Sequence, residues 1–61
     1  MSDAKKAVLA IYPNAFHIVE SDLTHRVNYG NYATWSYISE EDVWECALSH
    51  ISYRMLKKLE S

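Results

Sequence analysis

The sequence predicts a two-layer α+β domain: a short helix, a three-stranded antiparallel meander and a long C-terminal helix, with both helices on one face of the sheet. Three observations carry this prediction. Ser39–Leu59 keeps a helical apolar repeat behind a capped start and contains neither glycine nor proline. Residues 15–38 fall into three alternating runs separated by two short turn segments. Tyr12-Pro13 stops an earlier helical repeat, because the residue before proline is pushed out of the α region.

The first helix runs to about Ile11, with Ser2 placed to cap it and Ala4, Ala7, Val8 and Ile11 on one face. Pro13-Asn14 is turn chemistry and joins helix to sheet. Ala15–Glu20 is the first strand, with Phe16 and Ile18 on one side and His17 and Val19 on the other. Ser21-Asp22 makes a turn into Thr24–Tyr29, where His25, Val27 and Tyr29 alternate with Thr24, Arg26 and Asn28. Gly30-Asn31 makes the second turn, and the single glycine supplies a positive φ there. Ala33–Ile38 is the third strand, and short turns make the sheet antiparallel. The alternation leaves two options for the face turned away from the helices: a polar set drawn from His17, Val19, Arg26, Asn28, Thr34 and Ser36, or the Trp35/Tyr37 pair.

In the long helix Ser39 is the N-cap, and Asp42 stands where a capping box places its acidic partner. Glu40, Glu41 and Asp42 face the positive end of the helix dipole, and Arg54, Lys57 and Lys58 the negative end. Val43, Trp44, Ala47, Leu48, Ile51 and Met55 share the core face, extended by Leu59. Cys46, His50, Tyr53 and Lys57 form a neighbouring stripe, with Leu56 near the solvent side. That stripe is either ordinary boundary surface or the contact with a second copy of the chain.

The 61 residues read as one domain, short enough to be marginally stable alone. Chains of this size add disulfides, a metal or oligomerisation. One cysteine excludes an intramolecular disulfide, and no metal-ligand spacing stands out, so a homodimer or larger assembly is expected. A lone cysteine, no membrane-length apolar run and an N-terminal apolar stretch too short for a signal peptide suit a soluble cytoplasmic protein. The net charge of −2 argues against a nucleic-acid binder, whose footprint is basic.

Cys46 and His50, four apart on one helix, resemble a nucleophile and base but lack a third group and an oxyanion site. His17 and His25 can meet across the first hairpin, as surface residues more often than as metal ligands. One glycine cannot build a phosphate loop, and no cofactor is implied. The cluster with recognition character is Arg26, Asn28, Tyr29, Tyr32, Trp35 and Tyr37. An arginine, an amide and stackable rings suit either a protein hot spot or a nucleotide, held by phosphate and base.

Ala10-Ile11-Tyr12-Pro13-Asn14-Ala15, the aromatic run Thr34-Trp35-Ser36-Tyr37, and Ser39-Glu40-Glu41-Asp42-Val43-Trp44 followed by Ala47 resemble the short accessory proteins of tailed bacteriophages. The resemblance implies a non-enzymatic protein that inhibits a host factor, typically an antiviral defence component, by protein–protein contact. It implies alternatively an oligomeric sponge for a nucleotide-derived immune signal of the cyclic or ADP-ribose type. A small nucleic-acid-binding regulator is a third expectation. The resemblance transfers no individual functional residue.

Overall fold

The structure is a computed structural model that describes residues 3–60. Helix α1 (Asp3–Ile11) is followed by strands β1 (Phe16–Glu20), β2 (Thr24–Tyr29) and β3 (Tyr32–Ser36) and by helix α2 (Glu40–Glu60). The strands form one antiparallel sheet in the order β1-β2-β3. The fold is the predicted helix–meander–helix α+β domain. The proposed Ser2 cap and the Leu59 side chain lie outside what is described.

Helix α2 lies across β2 and β3, and α1 packs along α2. Lys5 of α1 reaches Glu40 and the Trp44 ring at the start of α2, while Ile11 and Tyr12 lie beside Ile51 and Met55 further along. The two helices therefore run in the same direction, and α1 ends beside the middle of α2. Ala4 and Val8 of α1, Val27 and Tyr29 of β2, and Val43, Trp44, Ala47 and Ile51 of α2 form the core. Burial of each large apolar side chain contributes about 1.5–3 kcal/mol.

The start of α2 is capped as expected: Ser39 Oγ accepts the Asp42 N–H at 3.0 Å. At the hairpin between β2 and β3, Gly30 adopts φ +58°. The first turn, Ser21–Leu23, is one residue longer than predicted, and Asp22 and Leu23 both take positive φ there. Strand β3 ends at Ser36, not Ile38. The Ser36 hydroxyl accepts the Ile38 N–H and donates to Asp42 Oδ2, which turns the chain away from the sheet and into the helix cap. Tyr37 and Ile38 are consequently outside the sheet and about four-fifths exposed.

The core faces differ from prediction at the helix ends. Ile11 and Met55 are exposed, and Leu9, which is not among the predicted face residues, packs against the core. Helix α2 is 21 residues long, so its last turns run past a sheet whose strands have five or six residues. Met55 lies on that overhang, where no strand remains to cover it.

Candidate functional site

The strand register fixes the sheet's two faces. His17 opposes Val27, which opposes Thr34, and Val19 opposes His25, which opposes Ser36; these rows lie on the helix side. The outward rows are Ile18–Arg26–Trp35 and Phe16–Asn28–Ala33. The outward face is thus a mixture of the two expected sets. Arg26, Asn28 and Trp35 lie on it, His17, Thr34 and Ser36 lie beneath the helices, and Tyr37 belongs to neither face. Sequence alternation could not decide this, since both faces carry aromatic and polar residues.

On the outward face Glu20 organises its neighbours. Its Oε1 accepts the Trp35 indole N–H at 3.1 Å and lies 3.1 Å from Arg26 Nη1. Trp35 and Phe16 remain about half exposed, and Ile18 stands next to Phe16 along β1 and across Arg26 from Trp35. Arg26 Nε and Asn28 Oδ1 are shielded from solvent without a hydrogen-bond partner among the described residues. Such atoms are costly to leave unpaired.

The six recognition residues predicted together are therefore divided. Tyr29 and Tyr32 are on the opposite side of the sheet from Arg26, Asn28 and Trp35. A small ligand cannot touch all of them at once.

Tyr29 belongs instead to a second site, a half-open groove of about 760 Å³ between the end of α1 and the second half of α2, with Tyr32 behind its lining. Its rings are Tyr12, Tyr29, His50 and Tyr53, and its cations are Arg54, Lys57 and Lys58. The Tyr12 and Tyr29 rings are tilted against each other with centroids 5.5 Å apart. Tyr32 meets His50 edge-on at 5.7 Å and carries the Arg54 guanidinium over its face at 4.1 Å. Lys57 lies over the Tyr53 ring at 5.6 Å. Burial, with Tyr12 nearby, raises the Tyr29 pKa, which keeps its hydroxyl protonated at neutral pH. The hydroxyl lies 2.5 Å from His50 Nδ1, a hydrogen bond whose direction follows the His50 tautomer.

This geometry corrects the reading of the Cys46/His50/Tyr53/Leu56 stripe. Cys46, Tyr53 and Leu56 are exposed, whereas His50 turns inward to Tyr29 and is not a solvated boundary residue. Cys46 Sγ donates to Asp42 Oδ2 at 3.8 Å. Loss of hydration around the sulfur and the Asp42 charge both push the thiol pKa up, which disfavours the thiolate that nucleophilic chemistry needs.

The two hairpin histidines do meet, on the helix side of the sheet. Their rings stack with centroids 5.2 Å apart, and His17 Nε2 lies 2.9 Å from His25 Nδ1. His17 Nδ1 lies 3.6 Å from Glu40 Oε2, so both of its ring nitrogens face polar partners. Among the described residues no group of three or more His, Cys, Asp or Glu side chains is arranged to hold a metal ion. No helix among them is long and apolar enough to cross a membrane.

Sequence reasoning assigned Arg54 and Lys58 only to the helix dipole, Lys57 to the dipole and the boundary stripe, and Tyr12 only to a joint. The available signal was the pairing of Tyr53-Arg54 with Lys57-Lys58 one turn apart, which sets rings beside cations on one helix end. Recognising the groove also required knowing that the two helices run parallel. The architecture defines a small α+β domain with an organised outward sheet face and a cationic aromatic groove. Comparison with known protein families, curated proteins and solved structures finds no match to the chain.

Proposed function

We propose that this chain is a non-catalytic binding protein of the phage accessory type. In this reading it acts in the cytoplasm of an infected bacterium and inhibits a host factor, of the antiviral defence class, by protein–protein contact through the outward sheet face. The observation that carries the reading is the Ile18–Arg26–Trp35 row with Glu20 beneath it. Tryptophan and arginine are the side chains that dominate binding energy at protein interfaces. Glu20 already holds both, so little side-chain entropy remains to be lost on docking. It also offsets the Arg26 charge, so the face suits an apolar patch with a polar rim. The shielded, unpaired Arg26 Nε and Asn28 Oδ1 add to the advantage of a partner that brings polar groups to this face.

The test is a paired binding and inhibition assay. A host polypeptide should bind the purified chain directly, and Trp35→Ala and Phe16→Ala should each weaken that binding while leaving the circular dichroism spectrum unchanged. Full binding and full inhibition by both variants would reject the surface.

Self-association belongs to the same reading, because a core of this size leaves little stability to spare. The exposed Cys46, Tyr53 and Leu56 provide the contact between copies. Native mass spectrometry at micromolar concentration should report a dimer or larger species; a monomer rejects it.

A further inference from the structure

We propose that the groove between the end of α1 and the second half of α2 binds a nucleoside phosphate, with phosphate on Arg54 and Lys57 and the base against the tyrosine walls. This site is distinct from the protein-contact face, lies on the other side of the sheet, and does not depend on that function.

The distribution of charge is the first argument. Three of the six lysines and arginines, Arg54, Lys57 and Lys58, line this one groove in a chain of net charge −2. Lys5 and Arg26 are paired with Glu40 and Glu20 elsewhere. Arg54 and Lys57, by contrast, lie over the faces of Tyr32 and Tyr53 and meet no carboxylate among the described residues. A guanidinium held over a ring face makes no hydrogen bond to that ring, so its N–H groups stay available to pair with phosphate in bidentate fashion.

The helix dipoles oppose this charge and have to be weighed. The C-terminus of α1 lies at the groove and that of α2 lies beyond it, and each contributes about half a negative charge. The charges of Arg54 and Lys57 outweigh them. Dipole compensation alone accounts for Lys57 and Lys58 in the last turn of α2. It does not account for Arg54, which lies outside that last turn and is stacked on a sheet residue.

The chemistry of the walls is the second argument. Tyr12 and Tyr53 line the groove, Tyr53 with Lys57 over one face, and a flat base stacks on such rings with little regard to its identity. The hydrogen-bonded Tyr29–His50 pair adds polar groups to the wall beside the cations. A volume of about 760 Å³ falls within the range of small-ligand sites. Cations without carboxylate partners, flanked by stackable rings, match a ligand that joins an anion to an aromatic base.

Calorimetric titration of the full chain with adenosine diphosphate tests the proposal, with pyrophosphate and adenosine as part-ligands and a short single-stranded oligonucleotide as a polyanion. Saturable binding is expected, weakened at least about tenfold by Arg54→Gln and by Lys57→Gln. Glutamine keeps helix propensity, and both positions are exposed, so the fold should persist. Lys6→Gln removes the same charge from an exposed position on α1 and should change affinity less than about twofold. Each part-ligand should bind at least about tenfold more weakly than the diphosphate. Absence of saturable binding at millimolar nucleotide overturns the proposal. So does equal weakening by Lys6→Gln, equal affinity for pyrophosphate, or tighter binding of the oligonucleotide. None of these outcomes bears on the outward sheet face.

Discussion

The Tyr29 hydroxyl hydrogen-bonds to His50 Nδ1, which ties the last residue of β2 to the middle of α2. Tyr29 is almost completely buried, so its ring fills core while its hydroxyl reaches the groove. Tyr29→Phe keeps the ring and removes the bond. A net hydrogen bond contributes about 0.5–1.5 kcal/mol, and half-buried His50 can recover part of its loss through water. The expected cost is about 1 kcal/mol, or roughly 4–8 °C in Tm for a domain of this size. Thermal unfolding of the variant measures it, and a Tm equal to that of the parent would remove the bond from the stability account.

Ser36 and Asp42 form the corresponding lock at the other end of α2, with the Ser36 hydroxyl donating to Asp42 Oδ2 at 2.6 Å. Ser36 is the one buried polar side chain among the described residues. Asp42→Ala leaves that hydroxyl without its acceptor and should cost about 1–3 kcal/mol. Ser36→Ala with Asp42→Ala should cost clearly less than the sum of the two single changes, because the second substitution removes the orphaned group. Urea denaturation of the four proteins reads the coupling; strict additivity would mean that the two residues act independently.

How far these locks were legible in the sequence differs between them. The element order, the Ser39 cap and the Gly30 turn rest on local chemistry, so short-range patterns revealed them. Asp42 was legible as an acidic residue in the first helical turn, but its bond to Ser36 requires the strand to end there, and the alternation ran on to Ile38. The two outward rows were hidden because Phe16/Ile18 and His17/Val19 are both plausible core pairs. The groove was hidden more deeply, since it depends on the relative direction of α1 and α2, which no spacing within either helix encodes.

Gly30 permits a test of a prediction made from sequence and sharpened by packing. It adopts φ +58°, and a Cβ built there would lie 2.9 Å from Tyr12 Cε1. Gly30→Ala therefore combines left-handed backbone strain with a ring that must shift. The left-handed region costs a non-glycine residue roughly 1–2 kcal/mol, and the Tyr12 clash adds to that. Tyr12 also lines the groove, so the variant should lose affinity for adenosine diphosphate in addition to stability. Denaturation and titration of the same preparation check both; unchanged stability would contradict the turn geometry.

Glu40 gives the domain a predictable response to acid. Its carboxylate accepts the Trp44 indole N–H at 3.1 Å and lies near His17 and Lys5. The Trp44 bond is the largest cause of a pKa lowered from 4.5, with His17 and Lys5 adding to it against a smaller opposing burial effect. A carboxyl with a depressed folded pKa binds fewer protons folded than unfolded, so stability rises with pH across the interval between the two values. Its contribution is therefore complete above about pH 4.5 and is lost as pH falls through the lower folded value. Glu40→Gln keeps an acceptor for Trp44 but cannot titrate. Its stability profile below pH 4.5 should be shallower than that of the parent, and the gap between the two should narrow as the parent carboxyl is protonated. The measurement is the urea midpoint of both proteins at intervals from pH 7 down to the acid limit of folding. Parallel profiles over that range would show that Glu40 has the same pKa folded and unfolded, and that its bonds to Trp44, His17 and Lys5 do not favour the charged form.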